Sequence, residues 1–194
     1  MAKIIGKVSA TEKNPNTVDH FHFWTERDVI LKPFDVIVVG HIKKSTTFAI
    51  VEEINHVTDT PSFLSSYVGS DFGDINVDTF TDRLGFNFIK AAVSGNNKNI
   101  FNPVIDGSQV RLATADEVRE AYGLDEITNP VCAGYFEMYD EIDEKEKVVV
   151  PVNLDRKDLI GPEAAHLNIA GISGLATKTS YATFLIKNLQ DHFM

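Results

Sequence analysis

The stretch FDVIVVGHIKKSTTFAIVEEINHV, residues 34–57, decides the fold. Two runs dense in Val, Ile and Phe, FDVIVVGHI (34–42) and TFAIVEEINHV (47–57), are bounded by Pro33, Gly40 and a KKST turn. β-Branched and aromatic residues suit a pleated, half-buried surface, and runs this short suit strands. Two strands joined by so short a turn pair antiparallel, which predicts an all-β barrel or sandwich.

Working outward, IIGKVSA (4–10) is another short β-rich run. DHFHFWTE (19–26) alternates, with Phe21 and Phe23 on one face and His20, His22 and Trp24 on the other. NFIKAAVSGNN (87–97) reads as a strand ending in a turn, and PVIDGSQVRLA (103–113) as a D-G turn leading into a short strand. TADEVREAYGL (114–124) reads as a compact helix. Thr114 with Glu117 makes a capping box, Val118, Ala121 and Tyr122 supply the apolar face, and Gly123 supplies the stop. VCAGYFEMY (131–139) and KVVVPVN (147–153) form a hairpin whose acidic turn, DEIDEKE, is a solvated loop without calcium-loop spacing. Residues 58–87 mix aromatics with Asp, Gly and Ser and read as an insertion into the barrel. There is no internal repeat.

Composition narrows the function classes. The 194 residues carry a formal net charge of −10, all of it in residues 1–150, while residues 151–194 balance. That part of the chain is poorly suited to gripping phosphates alone, since tight non-specific nucleic-acid binding needs a basic surface. A single cysteine, Cys132, excludes an internal disulfide and a cysteine-based zinc site; it reads as a small buried hydrophobe. No apolar run has membrane-spanning length and no signal peptide is evident, which points to the cytoplasm. Asp19, His20 and His22 supply no third metal ligand that can be assigned, so the expectation is a polar outer face with Trp24 as a packing anchor. His166 reads as a linker packing residue. No Ser/His/Asp or Cys/His set supports covalent hydrolysis.

The segment LNIAGISGLATKTSYATFLIKNL (167–189) has the order of a phosphate-binding unit: an apolar strand at 167–172, a loop, and an apolar-faced helix with Tyr181, Phe184, Leu185 and Leu189 at helical spacing. In such a loop backbone N–H groups wrap a phosphate, a lysine reaches the terminal phosphates and the next hydroxyl holds Mg²⁺. Lys178 and Thr179 occupy those positions. The glycines depart from G-x-x-x-x-G-K-[ST]: Ile172 and Thr177 stand where glycine is expected, and Gly171 and Gly174 lie elsewhere in the loop.

The wider stretch 151–190, with PVNLD, LIGPE and His166 before the loop, resembles the run-in to the motor domain of HerA-like ATPases, FtsK-related hexameric DNA translocases with an N-terminal HAS barrel. IDGSQVRLATADEVREAYGLD (105–125) resembles the element that closes that barrel. The opening strands match more loosely. The resemblance implies a mainly β fold: an antiparallel, Greek-key-like HAS-type β-barrel over 1–153 with one or two short helices and the 58–87 insertion, a linker over 154–166, and an incomplete P-loop ATPase fragment (β-loop-α) over 167–194. It carries Gly171, Ser173, Gly174, Thr177, Lys178, Thr179 and Ser180 over as nucleotide-binding positions, with Thr179 on Mg²⁺ only when ATP is bound. ATP and Mg²⁺ are expected for the full-length family and are not required by this chain. Only 16 residues follow Lys178, so an acidic Walker B residue and an arginine finger must come from elsewhere, and the chain alone is expected not to hydrolyse ATP. The implied partners are further copies in a ring such as a hexamer, a partner nuclease, and DNA only through the complete motor, with no membrane. The rival expectations are a stand-alone barrel module with a vestigial loop, and a complete small nucleotide-binding enzyme.

Overall fold

The computed structural model describes residues 4–58, 85–139, 147–161, 166–171 and 177–193. Two compact units meet between Ala113 and Thr114. The first is a closed barrel of six strands: β1 (Ile4–Val8), β2 (His20–Glu26), β3 (Val36–His41), β4 (Ser45–Thr58), β5 (Gly85–Asn96) and β6 (Gln109–Leu112). Their order around the barrel is β1-β2-β5-β4-β3-β6, and every pairing is antiparallel. β3, β4 and β5 follow one another, and β2 lies beside β5, which is the Greek-key arrangement. The fold is mainly β, as the alternation of the strands leads one to expect.

The inward residues explain why the barrel closes. Phe21, Phe23, Ile37, Ile89 and Val110 are fully buried. Burying each aromatic or aliphatic side chain of this kind contributes about 1.5–3 kcal/mol. Val36, Ile37, Val38 and Val39 are all buried; successive residues point to opposite faces, so β3 is covered on both. Register shifts interrupt β4 between Phe48 and Ala49 and between Val51 and Glu53, and β1 between Ile4 and Gly6. Such bulges increase local twist and bend a sheet toward closure. Gly6 sits where β1 crosses β2 most closely, for a Cβ there would lie 2.3 Å from the Trp24 carbonyl oxygen. The D-G turn before β6 places Gly107 at φ +75, where its N–H donates to the Val8 carbonyl.

β4 and β5 pair from Thr47↔Asn96 to Thr58↔Gly85. The expected insertion at 58–87 therefore begins and ends inside paired strands, and its residues 59–84 lie outside the described residues.

The second unit starts with helix α1 (Ala115–Ala121), whose capping box between Thr114 and Glu117 is present, with Val118 buried beneath it. Gly123 follows with a left-handed φ of 62°. β7 (Pro130–Tyr139) and β8 (Lys147–Asp155) pair as a two-stranded sheet of their own. The barrel thus uses the 1–153 span only as far as β6. The acidic turn 140–146 lies outside the described residues. The linker begins as the last residues of β8 and continues as a short helix, α2 (Arg156–Ile160), capped by the Asp155 carboxylate accepting from the Lys157 N–H. Helix α3 (Thr177–Phe193) packs on β7. A two-stranded sheet is marginal alone; Val131, Met138 and Val150 of the hairpin and Leu185 of α3 are buried.

The strand expected at 167–172 is corrected in part. Residues 167–171 join no ladder, and Ile172 lies outside the described residues. An apolar run becomes a strand only beside a second one, and among the described residues none pairs with 167–171.

Candidate functional site

The first turn of α3, residues 177–180, is exposed. The N–H groups of a helix's first turn have no intrahelical partner and carry the positive end of its dipole. The helix is held by its middle and far end: Leu185 is only 3% exposed, and the Asn188 side-chain amide donates to the Cys132 carbonyl at 2.9 Å. The Thr183 hydroxyl donates to the Thr179 carbonyl at 2.9 Å. Tyr181 and Phe184 stack at 6.2 Å along a partly exposed flank.

Five of the seven expected loop residues are described. Ser173 and Gly174 lie outside the described residues. Gly171 and Lys178 are brought together: the Lys178 ammonium donates to the Gly171 carbonyl at 3.1 Å. A Cβ on Gly171 would lie 3.0 Å from the Lys178 Cγ, so the lysine stem passes close over this glycine. Thr177, Thr179 and Ser180 stand in consecutive positions beside it on the helix's exposed first turn. An ammonium, three hydroxyls and the N–H groups of a helix's first turn are chemistry that suits an anion. Mg²⁺ is a different matter. The Thr179 hydroxyl is one neutral oxygen, and among the described residues no group of three His, Cys, Asp or Glu could hold a metal.

Compared with protein-family models and with curated proteins, the chain matches none.

The His20/His22 cluster is an ion-pair network rather than a ligand set. Glu52 takes the His20 Nε2 at 3.4 Å and the Lys90 ammonium at 3.1 Å. His22 stacks on Phe88, with centroids 5.2 Å apart and planes within 7°. Desolvation, then the charges of Lys90 and His20, lower the His22 pKa below the usual value. Trp24 does not act as the expected packing anchor. It is 39% exposed because its face of β2 points outward, opposite Phe21 and Phe23. His166 is exposed rather than packed, and Cys132 is half-buried rather than fully so, its strand being one of only two in its sheet.

A polar network at one barrel end escaped the sequence reading. The Asn96 amide donates to the hydroxyls of Ser45 at 3.1 Å and Thr47 at 3.0 Å, both buried residues. Its carbonyl accepts from the Lys98 and Ile100 N–H groups. The NN pair marked a turn, but only the register Thr47↔Asn96 reveals the partners.

No helix is long and apolar enough to cross a membrane among the described residues.

Proposed function

We propose that this chain is the barrel-containing, assembly portion of a HerA-like ATP-dependent DNA translocase. The barrel forms a collar by self-association in a ring. The segment 171–180 is the phosphate loop of the motor, with Lys178 for the terminal phosphates and Thr179 for Mg²⁺. The motor works on DNA in the cytoplasm, and a partner nuclease docks on the collar. The observation that carries this reading is the return of Lys178 across seven residues to Gly171 at the exposed start of α3. It aims the one cation of that turn back at the preceding segment, as a phosphate-cradling loop requires. The motifs at 105–125 and 151–166 supply the link to the family.

A second reading is a stand-alone interaction barrel whose loop is vestigial. It is favoured by residues 167–171, which join no ladder among the described residues. Titration calorimetry of the chain with Mg-ATP separates the two. The translocase reading expects saturable heat that Lys178→Ala abolishes, with no phosphate release by the chain alone. Absence of heat in the wild type at millimolar ATP overturns the nucleotide part.

A further inference from the structure

Phe34 is the anomaly of the barrel surface. It follows Pro33 in a turn closed by the Asp35 N–H donating to the Lys32 carbonyl at 3.1 Å. Its φ is +77°, the value of the second central residue in a type II turn, where glycine is at ease and a bulky side chain is strained. The turn is fixed: the Asp35 carboxylate accepts from the Lys32 N–H at 2.8 Å, and the Phe34 N–H donates to the Val51 carbonyl at 2.8 Å. Yet the ring contributes little to its own barrel, being 73% exposed. The turn thus holds a large apolar side chain in water on a strained backbone, a combination that persists only where the surroundings impose it.

The opposite barrel end offers a complementary feature. A pocket of about 130 Å³ lies between Val18, Val93, Ile100 and Phe101, with Asn96 and Thr47 also lining it. Its volume is close to the roughly 150 Å³ that takes a benzene molecule, although the lining mixes its apolar residues with the polar Asp19, Ser94 and Asn102. Phe101, 74% exposed, offers an aromatic neighbour for it, and Val18 is 48% exposed at the same site. Phe34 does not reach the pocket of its own barrel. Phe34 is level with Val51 of β4, whereas the pocket reaches Thr47, four residues and about 13 Å back along that strand. The charges are complementary: Lys32, exposed, stands two residues before Phe34, and exposed Asp19 lines the pocket.

We infer that Phe34 of one barrel enters the Val18/Val93/Ile100/Phe101 pocket of a second copy. The contact is head-to-tail, so it repeats, giving a ring if the rotation closes and an open array if it does not. The inference rests on the self-association named under the proposed function and specifies the surface that makes it.

The test uses two variants of the full chain, light scattering after size exclusion, and thermal melting. Phe34→Gly removes the ring and suits the left-handed turn, so its melting temperature should not fall. Val18→Trp narrows the pocket from its exposed rim. Each should weaken self-association about tenfold or more. Mixed together, they should form a heterodimer and nothing larger, because one retains the knob and the other the pocket. Wild-type oligomers that persist unchanged in both variants overturn this contact and leave the assembly reading standing. A monomeric wild type overturns both. A monomeric wild type whose pocket residues shift in NMR spectra on addition of the peptide LKPFDV assigns the pocket to an aromatic side chain of another protein and overturns the second-copy occupant.

Discussion

The Lys178 ammonium donates a charged hydrogen bond to the Gly171 carbonyl at 3.1 Å, seven residues before it. The bond is exposed, and water competes for both partners, so it holds the loop weakly. Lys178→Ala should change the stability of the second unit by less than about 0.5 kcal/mol, while removing any heat of Mg-ATP binding. Urea unfolding and calorimetry on the same preparation check the two halves of this expectation. A large loss of stability would show that the lysine has a structural role.

His22 ties the barrel to pH. Its pKa is lowered by desolvation and by Lys90 and His20, so between the lowered value and the ordinary 6.5 the unfolded chain binds a proton that the folded chain refuses. Stability contributed by the neutral ring is present above the ordinary value and is lost as pH falls through this window. His22→Phe, which keeps the stack on Phe88, should flatten the stability profile below about pH 6.5. Urea midpoints at several pH values measure it.

Asp35 acts in the other direction. Burial raises its pKa, although the Lys32 N–H and the Lys32 charge pull it back. From the ordinary value of 3.8 up to the raised one, the folded state holds a proton that the unfolded state has released. Stability from this group therefore falls as pH rises through that window. Asp35→Asn keeps an acceptor for the Lys32 N–H without the buried charge, and it should be the more stable protein at neutral pH. Asp35→Ala leaves that N–H without its acceptor and should cost about 1–3 kcal/mol.

Gly6 admits no side chain. The 2.3 Å approach of a Cβ to the Trp24 carbonyl oxygen is to backbone, which cannot swing aside. Gly6→Ala should push β1 away from β2 at a cost of about 1–3 kcal/mol, read as a lower urea midpoint with the slope unchanged. Hydrogen exchange should quicken at the Gly6↔Thr25 pair before it does along β3.

Asn96→Ala should be among the more damaging substitutions of a polar residue in the barrel. It strips the donor from the buried hydroxyls of Ser45 and Thr47 and the acceptor from the N–H groups of Lys98 and Ile100. Losing partners for buried polar groups costs about 1–3 kcal/mol each, with water recovering part at the exposed turn. Asn96→Asp retains the acceptor side and should lie between the alanine variant and wild type.

The strands were legible because each carries its own evidence. Phe21 and Phe23 alternate with His20, His22 and Trp24, and the structure buries the first pair and leaves the others outward. The capping box of α1 was legible for the same reason, both partners lying within four residues. What depended on register was hidden. Glu52 meets His20 and Lys90 only after three strands align, and the bulge at Glu52 shifts the count by one. The left-handed turn at Phe34 was hidden too, since Pro33 announces a turn but not which residue takes the positive φ. Residues 167–171 show the converse error: an apolar run states a preference for strand, but a ladder needs a second participant.

The long β4–β5 pair has one more consequence. β3 flanks β4 only as far as Ile50, whereas β2 follows β5 as far as Glu26↔Phe86, one rung short of the last pair, Thr58↔Gly85. The chain therefore leaves the sheet at Thr58 and re-enters it at Gly85, two neighbours on one rung. A change of length between those two residues should leave the described pairings of the six strands in place.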